Sequence, residues 1–242
     1  SNVKDSLYFG WCCHETKLKN HNFEKINFFY ITCFTKTPSG EQKKLVQNTK
    51  NYVPLYHRAN ENPENIGKHI RNIQYDWCYI GAPYRTDLIP KSNKFTNYQM
   101  ASFNVKNYLS SEKRKEIYLS SLIHLAYQGD TNIKDGHVSQ RVFEGLTYGC
   151  IVLSNSKPAC EQTNNIVEYV KNIEDVEEKI EFYKRHPEEI LKKQNDAYNL
   201  MKEMGTNDFS INKFNEKSKE VYNIDFMNNK KLSFIILRYV DS

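Results

Sequence analysis

Apolar residues gather in short runs along the chain, set apart by longer stretches rich in Asn, Lys and Glu. The runs at residues 6–13, 26–34, 52–57, 77–81, 98–103, 123–128, 150–154 and 166–170 have the length and the Val, Ile, Tyr and Phe content of strands. Segments with helical periodicity stand between several of them. Residues 39–49 offer Ser39 as a cap with Glu41 behind it. Residues 110–122 open at Ser110 or Ser111 and carry Ile117, Leu119 and Leu122. Residues 139–148 place Val142, Phe143 and Leu146 on one stripe and stop at Gly149. Strands exchanged with helices predict βαβ units and a parallel sheet covered on both faces, so the chain is an α/β protein.

Beyond residue 172 the pattern is helical throughout. Residues 174–186 align Val176, Ile180 and Tyr183 and finish in a Lys-Arg-His turn, which suits the negative end of a helix. Pro187 fits the first position of a second helix ending near Gly205, and residues 208–223 form a third. The last apolar run, KLSFIILRYV, fits an edge strand or a free end. The stretch 58–75 is polar and holds Pro63 and Gly67. It divides a small N-terminal lobe, 1–72, from a larger one, 73–225, with an extension of unassigned structure at 226–242.

Composition narrows the function classes. With 242 residues, 39% hydrophobic and 26% charged, the chain can bury a sizeable core. Its 34 basic and 29 acidic residues leave +5, spread without a block of like charge. That balance fits an anionic small ligand. A nucleic-acid partner is not expected, because the 17 tyrosines are spread through core strands rather than interleaved with basic residues. The six cysteines show neither a CxxC pair nor a metal-ligand spacing, and Cys33, Cys78 and Cys150 lie within apolar runs. They read as small buried hydrophobes in a reducing compartment. No run approaches the roughly 20 apolar residues of a membrane span, and no signal-peptide core opens the chain. A cytoplasmic location follows as the expectation. The chain begins Ser-Asn without Met, so further domains of a longer polypeptide are expected as partners.

One local contradiction points to chemistry. Ser139 is a good N-cap, yet Arg141 then falls in the first helical turn, where a carboxylate is favoured over a cation by about 0.3–1 kcal/mol. Ligands of open parallel sheets sit beyond the C-terminal strand ends, and the loop 129–139 leads from such an end. A diphosphate there removes the conflict: helix N–H groups and a guanidinium fork both suit phosphate oxygens. Glu144, one turn on, suits the vicinal hydroxyls of a ribose. The plain alternative is an Arg141–Glu144 surface pair of a few tenths of a kcal/mol.

The stretch RVFEGLTYGCIVLSNS, at 141–156, resembles the donor-binding element of GT-B glycosyltransferases, a helix of the form R-x-F-E-A-x-x-x-G followed by an apolar strand. YDWCYIGAPYR (75–85), RKEIYLSSLIHLAYQGD (114–130) and residues 169–198 are similar to further parts of the CgeB-like, group-1 type of these enzymes, and the likeness covers about residues 75–210. HLAYQGD followed by HVSQR also resembles elements of fucosyltransferases of the same fold. The resemblance implies Rossmann-like parallel sheets of GT-B type, with a small or reduced N-terminal acceptor-side lobe and a C-terminal nucleotide-sugar-binding lobe ending in helices. It implies transfer of a hexosyl or deoxyhexosyl group from a nucleotide-diphosphate sugar to a hydroxyl of a glycan or glycoconjugate, with no metal and no other cofactor. It assigns the donor to Arg141, Glu144, His137, Ser139 and Gln140, with Arg85 and the Gly81 turn as further phosphate contacts and Gly149 as the turn into the next strand. Gly136 stands where many relatives carry a second glutamate, with Asp135 one place off, which leaves the stereochemistry open.

An inverting enzyme also needs a base for the acceptor hydroxyl. His14 follows the first apolar run, where a first-lobe strand would face the cleft, and Asp130 and His57 are the other candidates. Without a base, the same pocket would serve a non-catalytic nucleotide- or carbohydrate-binding module.

Overall fold

The computed structural model describes residues 9–12, 28–32, 52–55, 61, 63–83, 85–91, 93–101, 109–134, 136–204, 207–223 and 225. Among the described residues there are eight strands, one within or overlapping each predicted run: β1 Phe9–Cys12, β2 Phe28–Thr32, β3 Tyr52–Leu55, β4 Tyr75–Gly81, β5 Asn97–Ala101, β6 Ser121–Leu125, β7 Ile151–Ser154 and β8 Glu168–Tyr169. The helices are α1 Ser111–Leu119, α2 Asp130–Lys134, α3 Gln140–Thr147, α4 Lys157–Gln162, α5 Ile173–Arg185, α6 Pro187–Met204 and α7 Asn207–Tyr222. The segments 39–49 and 231–240 lie outside the described residues.

Every strand pairing among the described residues is parallel. β1, β2 and β3 form one sheet in that order, and the larger sheet runs β5-β4-β6-β7-β8. The five-stranded sheet is filled on both faces. Cys78, Ile80 and Val152 point into one core with Tyr118 of α1, Val142, Phe143 and Leu146 of α3, and Leu200 and Met201 of α6. Trp77, Tyr79, Ile123, Leu125, Ile151 and Leu153 point into the other, with Val176, Ile180 and Tyr183 of α5. This two-sided burial is why the strands read as apolar runs rather than alternations.

Local signals set the helix ends. Ser110 Oγ accepts from Lys113 N at 3.1 Å to open α1, and Asn172 Oδ1 accepts from Asp175 N at 2.8 Å to open α5. Lys184 and Arg185 lie in the last turn of α5, and Pro187 begins α6 as its fixed φ favours. β8 is tied to α5 and α6 through Glu168, which takes Lys179, Tyr183 and Lys193.

Three expectations need correction. Leu122 belongs to β6, because α1 stops at Leu119. Two short helices, α2 and α4, were not expected; Ser156 Oγ caps α4 by accepting from Ala159 N at 3.3 Å. The polar stretch 58–75 is more than a connection: Ile66, 2% exposed, anchors it in the α1/α3/α6 core, and Glu61 takes Lys115 of α1 at 2.7 Å.

A close contact lies between α3 and the sheet. A Cβ on Gly145 would stand 2.8 Å from Val152 Cγ2 and 2.9 Å from His124 Cδ2, both on strands. Gly145→Ala gains helix propensity of up to about 1 kcal/mol but overpacks this contact, typically at about 1–3 kcal/mol. The expected result is a net loss of stability, read as a lower urea midpoint with an unchanged m-value.

Candidate functional site

The order of the large sheet places the site. β4 pairs with β5 on one side and with β6 on the other, and β7 and β8 follow β6 outward. The topological switch point, where open α/β sheets hold ligands in a crevice at the C-terminal edge, therefore falls between the ends of β4 and β6. Gly81 ends β4 on one side of it. Gln128 and Asp130 follow β6 on the other.

The SNS sequence at 154–156 holds this edge together. Asn155 donates from Nδ2 to Gln128 O and accepts at Oδ1 from Gln128 N, both at 2.9 Å, so the loops after β6 and β7 are pinned by a two-point amide pair. Ser154 Oγ donates to Ala126 O at 2.9 Å, and Tyr127 OH donates to Leu88 O at 2.8 Å. Such bonds fix the loop backbone below the crevice.

Helix α3 brings its N-terminus to the same edge. Ser139 occupies the capping position with extended φ and ψ of −72° and 151°, but its side chain does not cap; Oγ is buried without a hydrogen-bond partner. The expected cap is thus present in position and absent in bonding, which leaves first-turn N–H groups uncapped by a side chain. Arg141 extends from that turn across the end of β4. A Cβ on Gly81, whose φ is 155°, would lie 2.4 Å from Arg141 Cζ and Nη1, so only glycine admits the guanidinium there. Among the described residues the Arg141 guanidinium forms no ion pair and no hydrogen bond, and the residue is half-buried.

Glu144 departs from the surface role that its spacing suggested. It is 6% exposed and held by three side chains: Gln140 Nε2 donates to Oε1 at 3.0 Å, Arg114 Nη1 to Oε1 at 3.4 Å, and Tyr118 OH to Oε2 at 3.2 Å. The plain Arg141–Glu144 surface pair is not formed. Burial pushes the Glu144 carboxyl above its ordinary 4.5, against the opposing pull of Arg114 first, then Tyr118 and Arg141. Gln140 is spent on Glu144, and Arg114 and Tyr118, both from α1, are site residues that sequence reasoning missed.

The remaining candidates fall as follows. His137 is buried in the loop before α3, and its backbone N–H donates to Asn132 O at 2.8 Å. Arg85 sits in the left-handed region with φ 51° and grips Asp87, donating from Nε to Oδ1 at 3.0 Å and to Oδ2 at 3.3 Å and from Nη2 to Oδ2 at 2.8 Å. Asp87 first, then Asp130, holds the Arg85 guanidinium more firmly protonated, which brings the loops after β4 and β6 into one electrostatic field. Asp130 is exposed at the start of α2. His14 and His57 lie outside the described residues. His124, absent from the sequence reading, lies fully buried under α3 with Nδ1 3.6 Å from Cys78 Sγ. Burial, then the charge of Arg141, pushes its pKa down to about 3 and keeps it neutral. Cys78, Cys150 and Cys160 are free and buried, as small hydrophobes.

A parallel sheet covered by helices on both faces, with its switch point between β4 and β6, defines a Rossmann-like α/β protein. The family described as glycosyl transferase-like matches residues 68–208, more than half of the chain, and the protein belongs to that family. Its general activity is glycosyl transfer, which requires a sugar donor and an acceptor. No curated protein matches the chain. Among the described residues no helix is long and apolar enough to cross a membrane.

The raised Glu144 pKa has a signed consequence. The folded state holds the proton more tightly than the unfolded chain, so this residue's contribution is full below about 4.5 and is lost as pH rises through its folded pKa. Glu144→Gln removes that term. The stability of the variant relative to the parent is expected to increase from pH 4 to pH 7, measured by urea unfolding at each pH; a flat difference contradicts the assignment.

Proposed function

We propose that this chain is a GT-B type glycosyltransferase that moves a hexosyl or deoxyhexosyl group from a nucleotide-diphosphate sugar to a hydroxyl of a glycan or glycoconjugate. The observation that carries the reading is the guanidinium of Arg141, without a protein partner among the described residues, packed on Gly81 at the switch point beside the N-terminus of α3. A diphosphate in the crevice meets that guanidinium and the first-turn N–H groups together. As the glycosidic bond breaks, negative charge grows on the departing diphosphate, and preorganised donors stabilise it where it develops. The charge is neutralised by protein groups, so the reaction is proposed to proceed without a metal.

Glu144 serves as the ribose acceptor. Its three donors hold the carboxylate in one orientation, and Oε2, with a single bond from Tyr118, keeps a lone pair for a hydroxyl. His137 and Ser139 contribute the loop that follows the diphosphate, and Gln140 acts by holding Glu144. Arg85, engaged with Asp87, supports the far wall and touches phosphate only if that pair opens. Asp130, exposed across the crevice, is the base proposed for the acceptor hydroxyl, with His14 as the first-lobe alternative. On this reading residues 73–225 bind the donor, 1–72 stand on the acceptor side, and the chain works in the cytoplasm with no further cofactor.

Thermal shift with UDP-, GDP- and dTDP-sugars tests the donor: one of them is expected to raise the melting temperature. Arg141→Ala abolishes that shift and lowers transfer by about 10²–10³-fold, the usual effect of removing one charge-stabilising donor. Gly81→Ala, which displaces the guanidinium without altering its charge, weakens donor binding by about tenfold, or roughly 1.4 kcal/mol. A shift without turnover points to a binding module, and no shift with any of the three refutes the donor assignment.

A further inference from the structure

A groove of about 550 Å³ opens at the opposite edge of the large sheet, where the strands begin and α3 ends. Leu122 at the start of β6, Leu146 and Tyr148 at the end of α3, and Leu191 of α6 give it an apolar lining. Ile73 and Leu191 remain 45% and 63% exposed there, an unusual investment of apolar surface. The volume falls within the range of about 300–1,000 Å³ typical of small-molecule sites, which combine apolar walls with a few polar groups.

The charge of the lining has one sign. Lys68, His69 and Arg71 line the groove, and no Asp or Glu does. Lys68 forms no ion pair among the described residues. Arg71 donates from Nη2 to the carbonyl oxygens of Tyr118 and Ser121 and to Cys150 Sγ at 3.7 Å, while its Nε is buried without a partner. These contacts hold the guanidinium in place without neutralising it. Glu61 reaches His69 at 2.9 Å but is shared with Lys115 at 2.7 Å, so Lys68 and Arg71 keep their charge at the groove.

We propose that this groove binds an amphipathic organic anion, with an aromatic or alkyl body against Tyr148, Leu122 and Leu191 and a single carboxylate, sulfonate or phosphate between Lys68 and Arg71. The site is separate from the Arg141 crevice and does not rest on the reading of it. Two fluorescent probes of similar shape test the charge argument in the full chain: 8-anilinonaphthalene-1-sulfonate, which carries an anion, and N-phenyl-1-naphthylamine, which does not. The anionic probe is expected to bind saturably at one site per chain, at least tenfold tighter than the neutral one, and to be displaced by dodecanoate.

Lys68→Glu combined with Leu191→Asp changes two exposed side chains. It is expected to weaken the anionic probe at least tenfold while leaving the far-UV circular dichroism, the melting temperature and any nucleotide-sugar shift unchanged. Equal affinity for the two probes, unaltered binding in the double variant, or displacement of the probe by the nucleotide diphosphate alone would each overturn the assignment. The last outcome would place the probe in the Arg141 crevice instead.

Discussion

Helix α3 can lie against the sheet only because Gly145 lacks a side chain, and the site takes its geometry from that contact. With Val152 and His124 already within van der Waals reach of the helix backbone, α3 has no freedom to lift or roll. Its N-terminus is thereby held at the end of β4, which puts Arg141 on Gly81. Its buried face carries Glu144 into the reach of Tyr118 and Arg114. Two close glycine contacts, one under the helix and one at the strand end, thus fix a cation and a carboxylate one turn apart. Glu144 turns to Tyr118 and Arg114 rather than to Arg141.

The electrostatics of this arrangement oppose folding, and the opposition is informative. A cation in the first turn of a helix, an uncapped serine and a carboxylate with a raised pKa each carry a penalty of order 1 kcal/mol or less to a few kcal/mol. Burying Arg141 in an ion pair with Glu144 would relieve two of them, since the residues are only three positions apart. The fold instead assigns Glu144 to Arg114 and Tyr118 and keeps His124 neutral beneath the helix. Among the described residues the Arg141 guanidinium is therefore left at the strand end without an ion-pair partner of its own, a condition that favours an anion there.

Much of the fold could be read along the chain because its determinants are local. Strands filled on both faces leave continuous apolar runs, α5 carries a clear stripe and an Asn172 cap, and α6 has a proline at its first position. The short helices α2 and α4, of five and six residues, lack room for a stripe, so periodicity missed them. The site divides along the same line. Arg141 stood out because its conflict with the helix dipole is a one-turn matter. The burial of Glu144 did not, because the residues that cause it come from α1, 26 and 30 positions earlier. Strand order is non-local too, and only the paired register of β4 with both β5 and β6 reveals which loops part to form the crevice.

The two faces of the large sheet are closed by packed cores, which leaves its edges to carry function. At the C-terminal edge the loop backbone is pinned by Asn155, Ser154 and Tyr127, so a ligand meets donors that need little reorganisation. At the N-terminal edge Arg71 plays a comparable part, tying the end of α1 to the start of β6. The edges are also in physical contact through aromatic packing. Tyr148, in the groove, stacks on Tyr118 with centroids 5.9 Å apart and planes 14° from parallel, and the Tyr118 hydroxyl holds Glu144. Any displacement of Tyr148 must move a ring whose hydroxyl positions the buried carboxylate. The tight seat of α3 that builds the crevice therefore also makes its carboxylate sensitive to packing at the far end of the same helix.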